Sequence, residues 1–328
     1  MGYGYFLISN KMRIGIVSVN SNPAGIYTNK RLSEEARALG HKVVFINPLN
    51  SHLSLSSFGQ KVVFAKKTKR VGNKMGTTGG HLKTPDILIS RLGSTAPYYA
   101  LATVAQFDAI SNLTVLNTAT AIDRTKNKLR SLQILTRRGV PIPRTIITRS
   151  PEDIDWAIDE VGGTPVILKL LEGTQGIGVM LAETRKTVKS VLSTLWNLGQ
   201  NIIVQEYLRP TGKRTSDIRV FVIGGKVVAT MKRTAALDDE FRSNIHRGGK
   251  GTQYRLTREQ KQIALDAVDA LKLDIAGVDM METRGGQTVV LEVNTSPGLE
   301  GIEKATKINV AKKIIEYGIE KYKKDWGK

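Results

Sequence analysis

Three oxygen-bearing side chains in the C-terminal part of the sequence could form a metal site. Glu292 and Asn294 are two residues apart in a predicted strand, so both side chains leave the same face. Asp279 lies in the neighbouring predicted strand across a short turn, where it can converge with them. Carboxylate and amide oxygens are ligands suited to Mg²⁺ or Mn²⁺. The alternative is an ordinary polar face of an antiparallel sheet, but the abrupt strand end at 294–298 favours a strand edge that opens onto a cleft.

A glycine-rich turn at 172–178 joins two further predicted strands and could approach phosphate groups. Glycines have no Cβ, so backbone N–H groups can come close to phosphate oxygens. The turn matches neither the Walker lysine motif nor the dinucleotide fingerprint, and a plain hairpin is the alternative. Lys169, on the preceding strand, and Lys128, on a basic helix, could contact phosphates as point charges. Most lysines are solvated, but Lys169 lies inside an apolar run, where exposure would be unusual.

A third candidate is the loop at 241–249, which combines arginine and asparagine donors with two terminal glycines. Such a loop suits a flap that stabilises a transferring phosphoryl or acyl-phosphate group, whereas the alternative is a solvent loop. His246 has no evident aspartate partner, so we do not expect it to take part directly. No G-x-S-x-G or H-E-x-x-H motif supports a serine hydrolase or a zinc protease.

The elements that must position these residues follow two patterns. Up to residue 116, strands alternate with helices, which indicates a three-layer domain with a parallel sheet. Beyond residue 122, hairpin signals such as Gly224-Gly225 indicate antiparallel pairing. The segment 53–81 is predicted as a hairpin or flexible loop. The predicted strands are 13–19, 42–46, 86–90, 146–148, 165–171, 179–182, 202–206, 217–223, 226–231, 275–282 and 288–294. The predicted helices are 30–39, 97–110, 126–138, a segment after Ser150, 186–198, 257–271 and 302–323.

Composition sets limits on the class of protein. The 328 residues include no cysteine, which excludes disulfides, thiolate zinc sites and a cysteine nucleophile and fits a cytoplasmic protein. No apolar run approaches the roughly 20 residues of a membrane span, and the first ten residues do not resemble a signal peptide. The net charge is +20, which favours anionic partners. Half of it lies in residues 1–116, where one acid-free stretch contains Lys61, Lys66, Lys67, Lys69, Arg70 and Lys74.

Several contiguous segments together resemble the ATP-grasp ligases, and specifically the RimK-type α-L-glutamate ligase family. The resemblance extends from Met12 to about Tyr317. The matching segments are R-L-G (91–93), D-R-T-K-N-K-L-R (123–130), K-L-L-E-G-T-Q-G-I-G (169–178), V-Q-E-Y (204–207), D-I-R (217–219), F-R-S-N-I-H-R-G-G (241–249), A-G-V-D (276–279) and L-E-V-N-T-S-P-G-L-E-G-I-E (291–303).

The resemblance implies roles for individual residues. Lys128 and Lys169 would hold the ATP phosphates, Glu206 and Tyr207 would border the adenine, and Asp217 would take the ribose hydroxyls. Asp279, Glu292 and Asn294 would coordinate two Mg²⁺ or Mn²⁺ ions. The loop that closes over the phosphates contributes Gly173, Thr174, Gln175, Gly176 and Gly178. Arg242, Ser243 and Asn244 would lie beside the phosphates and the reacting carboxylate. We further predict that Arg233 and Arg242, with Asn244, act on an acyl phosphate.

The implied fold is α/β, of the α+β ATP-grasp type. It has an extension (1–11), a parallel-sheet domain (12–116) and two subdomains that enclose ATP (117–205 and 206–328). The implied activity is ATP-dependent addition of L-glutamate to a carboxylate, through an acyl phosphate, with release of ADP and phosphate. The acceptor would be an acidic protein or peptide C-terminus, such as that of a small-subunit ribosomal protein, or oligoglutamate. The family also implies a homotetramer. The sequence departs from the family's pattern in the extension and in the basic segment at 61–81.

Three alternatives remain open. A sister ligase of the same fold could act on a deazaflavin or pterin coenzyme or on an amino-adipate carrier. A nucleic-acid-binding protein would fit the charge of +20, but the basic residues are not interleaved with aromatic ones and no nucleic-acid motif is present. The third alternative, a catalytically inactive regulatory subunit, conflicts with the intact set of candidate site residues.

Overall fold

We describe a computed structural model of the chain that covers residues 11–56, 59–71, 74–81, 83–171, 173, 178–237 and 249–327, with only the backbone described between 56 and 81. Residue contacts group the chain into two units. The first contains the described parts of Met1–Arg91, Tyr98–Leu116 and Ala311–Lys328, and the second contains those of Leu92–Pro97 and Asn117–Val310. The last helix therefore groups with the N-terminal unit, although the sequence suggests that it continues the C-terminal subdomain. The division at residues 116 and 205 stays a prediction.

The secondary structure of the described residues is as follows. The strands are β1 (Arg13–Val17), β2 (Lys42–Ile46), β3 (Ser51–Ser56), β4 (Gly59–Val71), β5 (Lys74–His81), β6 (Ile87–Ser90), β7 (Thr114–Leu116), β8 (Thr145–Ile147), β9 (Val166–Leu170), β10 (Val179–Ala182), β11 (Ile202–Glu206), β12 (Ser216–Ile223), β13 (Lys226–Thr234), β14 (Lys250–Gln253), β15 (Ile275–Glu282) and β16 (Thr288–Asn294). The α-helices are α1 (Tyr27–Ala38), α2 (Tyr98–Asp108), α3 (Ala119–Lys126), α4 (Lys128–Arg137), α5 (Ile154–Glu160), α6 (Arg185–Asn197), α7 (Arg258–Leu271), α8 (Glu300–Thr306) and α9 (Val310–Trp326). Short 3₁₀ helices span Pro23–Gly25, Pro48–Asn50 and Pro151–Asp153.

The first unit contains the predicted parallel sheet, in the order β2-β1-β6-β7. β6 and β7 are buried along their whole length, which explains why these runs show no polar alternation. In α9, the Cα of Gly318 lies so close to the sheet that an added Cβ would be 3.3 Å from Ile87 and Leu116. The basic segment forms a separate antiparallel sheet in the order β3-β4-β5, so the hairpin interpretation of 53–81 is confirmed.

Two antiparallel sheets build the second unit. The smaller has the order β10-β9-β11-β8, and one of its faces packs against α5 and α6 through residues such as Leu168, Val188 and Val204. The larger has the order β14-β13-β12-β15-β16 and packs against α7. Thr257 caps the start of α7 with a capping box, in which its hydroxyl accepts from Gln260 N–H and the Gln260 side-chain oxygen accepts from Thr257 N–H. The predicted combination of one parallel sheet and further antiparallel sheets is thereby confirmed.

One predicted helix begins later than expected, and another is divided in the structure. The helix predicted at 126–138 is α4, which begins at Lys128 because Asn127 has an extended backbone and caps α4 by accepting from Arg130 N–H at 3.1 Å. The helix α3, which ends just before Asn127, was not predicted. The helix predicted at 302–323 is two helices, because Lys307 adopts a left-handed conformation with φ of 59°.

Candidate active site

The three predicted metal ligands come together where β15 and β16 pair. Asp279 lies opposite Glu292, and Asn294 lies opposite Gly277. The Asn294 side-chain amide nitrogen donates to Glu292 Oε1 at 3.2 Å and approaches Asp279 Oδ2 at 3.4 Å. One amide thus bridges two carboxylates. The predicted convergence of these side chains is therefore present in the structure.

Asp279 is buried and is held by two arginines. Arg219 donates from Nε to Oδ1 at 2.6 Å and from Nη2 to Oδ2 at 2.5 Å, and Arg233 Nη2 lies 3.0 Å from Oδ2. Burial alone would raise the pKa of Asp279, but the charges of Arg219 and Arg233 outweigh it and lower the pKa to about 2. The carboxylate is therefore ionised at any physiological pH. Arg219 is a residue that sequence reasoning missed as an individual contributor.

Arg233 also pairs with Asp217, opposite it on β12. Its Nε and Nη2 donate to the two Asp217 carboxylate oxygens at 2.6 and 2.5 Å, and both side chains are more than nine-tenths buried. Burial would lower the pKa of Arg233, but the charges of Asp279 and Asp217 outweigh this effect and raise the pKa above its usual range. Asp217, Arg233, Asp279 and Arg219 thus form a continuous ionic network across three adjacent strands. A charge network of this kind orients its members more than it stabilises the fold.

Lys169 lies in the otherwise apolar strand β9, on the face of the strand opposite to the one that packs against α5 and α6. Its ammonium group donates to Gln205 Oε1 at 2.5 Å. Burial lowers the pKa of Lys169 to about 8; the charge of Lys128 adds to this effect, and that of Glu292 opposes it. Lys169 therefore faces a site that contains both a second cation and a candidate metal ligand.

The start of the glycine-rich turn is held by two side chains. Lys128 Nζ and Ser94 Oγ donate to the carbonyl oxygen of Gly173 at 3.1 and 2.9 Å. Lys128 is the first residue of α4, and its backbone N–H donates to Leu171 O at 3.0 Å. At the other end of the turn, Gly178 has φ of +74°, a conformation that favours glycine. The backbone N–H and the side-chain charge of Lys128 therefore lie at the start of this turn.

One cavity brings most of these groups together. It contains about 480 Å³ of space that is partly open to solvent. Its lining includes Ser94, Lys128, Lys169, Gly173, Gln205, Glu292 and Asn294. Three lysines (Lys126, Lys128 and Lys169), Gly173 and the candidate metal ligands Glu292 and Asn294 share this space. Such a set of groups can bind a polyphosphate together with a divalent ion.

Glu206 and Tyr207 lie at and just after the end of β11. Glu206 accepts from Arg144 Nε and Nη2 at 3.1 and 3.2 Å, and Tyr207 is half-buried. Neither residue is among those that line the cavity. Their proximity to an adenine ring stays a prediction.

Some of the predicted site residues fall outside the part of the chain that the structure describes. These residues are Thr174, Gln175 and Gly176 of the glycine-rich turn and Arg242, Ser243 and Asn244 of the proposed flap.

Asn117 is a residue of this unit that the sequence analysis did not single out. It is fully buried, and its amide nitrogen donates to Ile275 O and Thr295 O at 2.7 and 3.0 Å. Its amide oxygen accepts from the N–H groups of Asp274 and Ile275. Asn117 therefore joins the start of β15 to the residue that follows β16. It holds together the two strands that carry the candidate metal ligands.

The donor set fits a hard divalent cation, because two carboxylates are close enough to share one amide hydrogen-bond donor. Within the described residues, no group of three or more histidine, aspartate or glutamate side chains gathers to hold a metal. The candidate site instead combines two carboxylates with Asn294.

Across the described residues, no helix is both long and apolar enough to cross a membrane.

Comparison with known proteins gives consistent matches. The description "RimK PreATP-grasp domain" fits residues 12–122, and "RimK-like ATP-grasp domain" fits residues 125–318. A protein of Pseudoalteromonas atlantica named "Probable alpha-L-glutamate ligase 2" is 44% identical over 306 residues, which cover 93% of this chain and 95% of that protein.

Two solved structures of the ATP-grasp ligase PsnB have the same fold. PsnB complexed with a minimal precursor matches with a TM-score of 0.70 at 18% identity, covering 94% of this chain and 99% of that one. PsnB complexed with the precursor, Mg and ADP matches with a TM-score of 0.68 at 18% identity, covering 94% and 98%.

Proposed function

The chain belongs to the RimK-like ATP-grasp family of ATP-dependent ligases, and from this premise we propose that it joins L-glutamate to a carboxylate at a protein or peptide C-terminus. The observation that carries the proposal is the cavity that gathers Lys128, Lys169, Glu292 and Asn294. The name of the Pseudoalteromonas relative supports glutamate as the added amino acid. A further solved structure, of PsnB complexed with precursor peptide PsnA2 and AMPPNP, supports a peptide acceptor.

The proposed reaction has two steps. An oxygen of the acceptor carboxylate attacks the γ-phosphorus of ATP, an O–P bond forms, the bond to the β-phosphate oxygen breaks, and ADP leaves. The amine of glutamate then attacks the carbonyl carbon of the acyl phosphate. A C–N bond forms, the bond to the phosphate oxygen breaks, and phosphate leaves as the amine releases its proton. These steps require positioning and charge neutralisation more than a protein nucleophile.

We assign the phosphate contacts to Lys128 and Lys169. Lys169 reaches the cavity from β9, where it donates to the neutral amide oxygen of Gln205 and where burial lowers its pKa to about 8. Lys128 donates to Gly173 O in the described structure and would transfer that hydrogen bond to a phosphate oxygen when ATP binds. The loop residues Gly173, Thr174, Gln175, Gly176 and Gly178 would close over the same phosphates.

The remaining nucleotide contacts come from the family resemblance. Glu206 and Tyr207 would border the adenine, and Asp217 would receive the ribose hydroxyls. Arg242, Ser243 and Asn244 would lie beside the phosphates and the acceptor carboxylate.

We propose that Arg233, Arg242 and Asn244 neutralise the acyl phosphate. The contacts of Arg233 with Asp217 and Asp279 support an indirect contribution as well, since they hold Asp279 beside Glu292. Asp279, Glu292 and Asn294 would hold Mg²⁺ or Mn²⁺, which the complex of PsnB with Mg and ADP supports. A bound divalent ion supplies charge neutralisation for the phosphoryl group.

The charge of the chain supports an anionic acceptor. We propose an acidic C-terminus, that of a small-subunit ribosomal protein or an oligoglutamate tail, in a cytoplasmic homotetramer. Each added glutamate makes such a tail more negative, and excess positive charge would retain it. Nucleic acid and membrane are not required partners.

The test is transfer of radiolabelled glutamate to a panel of acidic protein C-termini, neutral peptides, oligoglutamate and coenzyme carboxylates. We expect ATP-dependent transfer to an acidic C-terminus, loss of transfer with chelator, and recovery with Mg²⁺ or Mn²⁺. Glu292→Gln should be folded but inactive, whereas the exposed Glu183→Gln should retain full activity. Near-normal ligation by Glu292→Gln would contradict the metal site, and transfer only to coenzymes would favour the sister-ligase alternative.

A further inference from the structure

A chain of hydrogen bonds connects Lys169 to two neighbouring strands. Lys169 Nζ donates to Gln205 Oε1 at 2.5 Å, and Gln205 Nε2 donates to Thr145 Oγ1 at 2.7 Å. Thr145 Oγ1 in turn donates to the carbonyl oxygen of Pro143 at 2.8 Å. The chain therefore crosses β9, β11 and β8 in order. It ends on a backbone carbonyl, which can only accept.

The end of the chain determines the orientation of the Gln205 amide. The Thr145 hydroxyl gives its one proton to Pro143 O, so it can only accept from Gln205. Gln205 must then present its NH₂ group to Thr145 and its carbonyl oxygen to Lys169. Gln205 is only 2% exposed, so water cannot easily replace either partner.

The register of the sheet explains why these side chains share one face. Gln205 lies directly opposite Thr145, and Lys169 lies opposite Ile203, two residues before Gln205. Directly paired residues and residues two apart point to the same side of a sheet. Lys169, Ile203 and Gln205 all line the cavity, and the other face packs on α5 and α6.

The hydrogen-bond acceptor of Lys169 is the neutral amide oxygen of Gln205, and this neutrality affects the charge of the lysine. A carboxylate at position 205 would neutralise the ammonium charge, whereas an amide oxygen holds the ammonium in place and leaves its positive charge available to an anion. The low pKa of Lys169 is consistent with this arrangement, because burial is its main cause and the ammonium group donates to an amide oxygen.

We propose that Gln205 and Thr145 are positioning residues that hold the Lys169 ammonium in the cavity, aimed at the polyphosphate of the nucleotide. This inference rests on the proposed function, since it assumes that Lys169 contacts ATP. It adds two residues, on strands other than that of the lysine, whose contribution acts through Lys169. They affect nucleotide binding without touching the nucleotide.

The experiment is a double-mutant cycle on nucleotide binding, measured as the dissociation constant of ADP by calorimetry without acceptor or glutamate. Thr145→Val removes the hydroxyl, and Thr145→Ser retains it. We expect Thr145→Val to weaken binding about fivefold, the loss typical of one hydrogen bond between neutral groups, and Thr145→Ser to stay within about twofold of wild type. In a Lys169→Met background, Thr145→Val should cause no further loss.

Two results would overturn the proposal. One is an equal loss from Thr145→Val with and without Lys169, which would indicate a purely structural role. The other is wild-type ADP binding by Thr145→Val.

Gln205→Glu provides a second variant of similar shape, and we expect weaker ADP binding at an unchanged melting temperature. Wild-type affinity in a folded Gln205→Glu protein would also contradict the proposal. If ADP binds as expected but no acceptor receives glutamate, the proposed function fails and the positioning role remains.

Discussion

Arg219 and Asp279 face each other on paired strands and form two parallel hydrogen bonds of 2.6 and 2.5 Å. This two-point contact, with both side chains largely buried, fixes the plane of the Asp279 carboxylate. The same carboxylate also contacts Arg233 and Asn294. Its orientation at the candidate metal site is therefore determined mainly by two arginines, which are not themselves candidate metal ligands.

Arg219→Leu should lower the free energy of unfolding, because it leaves Asp279 buried with one cationic partner fewer. Removing one member of a buried ion pair costs about 3–5 kcal/mol. The matched control is Arg138→Leu, at an exposed arginine–aspartate contact of 3.1 Å, where about 1 kcal/mol or less is expected. Urea denaturation of both variants measures the difference. Equal destabilisation of the two variants would contradict the interpretation of the network.

The pKa of Lys169 predicts a pH dependence of ATP binding. With a pKa of about 8 in the free enzyme, Lys169 is charged below pH 8 and increasingly neutral above it. Phosphates favour the charged form, so binding raises this pKa and takes up a proton above pH 8. The KM for ATP should therefore rise above pH 8, by up to about tenfold per pH unit.

Arginine stays protonated through this range, so Lys169→Arg provides the control for that pH profile. Its KM for ATP should show no inflection near pH 8, even if its absolute value differs from that of wild type. The same inflection in wild type and Lys169→Arg would assign it to another group.

The main elements of the fold were predictable because apolar patterning and turn residues agree along most of the chain. The strands that carry Asp279 and Glu292 were predicted with the bounds that the structure has, since Gly285 and Gly286 mark the turn between them. The helix α3, the start of α4 after Asn127 and the break at Lys307 were not predicted. A single capping side chain or one left-handed residue ends a helix without changing its apolar spacing.

At the candidate site, the sequence identified the candidate metal ligands, but it did not identify the residues that hold the site's side chains in position. The convergence of Asp279, Glu292 and Asn294 could be inferred from strand spacing together with the abrupt strand end at 294–298. Arg219, Gln205 and Asn117 act across strands or over more than a hundred residues, so no local pattern identifies them. Gln205 lies within a segment that resembles the family. Its hydrogen bonds to residues on two other strands, however, could be recognised only from the register of the three strands.

Gly178 should not tolerate alanine. Its φ is +74°, and an added Cβ would lie 2.7 Å from Leu170 Cδ1. Gly178→Ala should therefore cost about 1–2 kcal/mol in stability and raise the KM for ATP, because the turn beside Lys169 must shift. Gly212→Ala is the control, since no atom lies within 4 Å of its added Cβ. Thermal unfolding and ATP kinetics of both variants test this, and identical behaviour would contradict the predicted strain.

The remaining prediction concerns the acceptor and the basic segment of β4 and β5. This segment contains Lys66, Lys67, Lys69 and Arg70 and belongs to a region with half of the net charge of +20. If these charges attract an acidic acceptor, the acceptor KM should rise with ionic strength, because salt screens exposed charges beyond about 10 Å at 0.1 M. Changing all four residues to serine should raise the acceptor KM at low salt and flatten its salt dependence, while the KM for ATP stays the same. If the positive charge instead serves only solubility, the two proteins will show equal salt slopes and the same preference between acidic and neutral peptides.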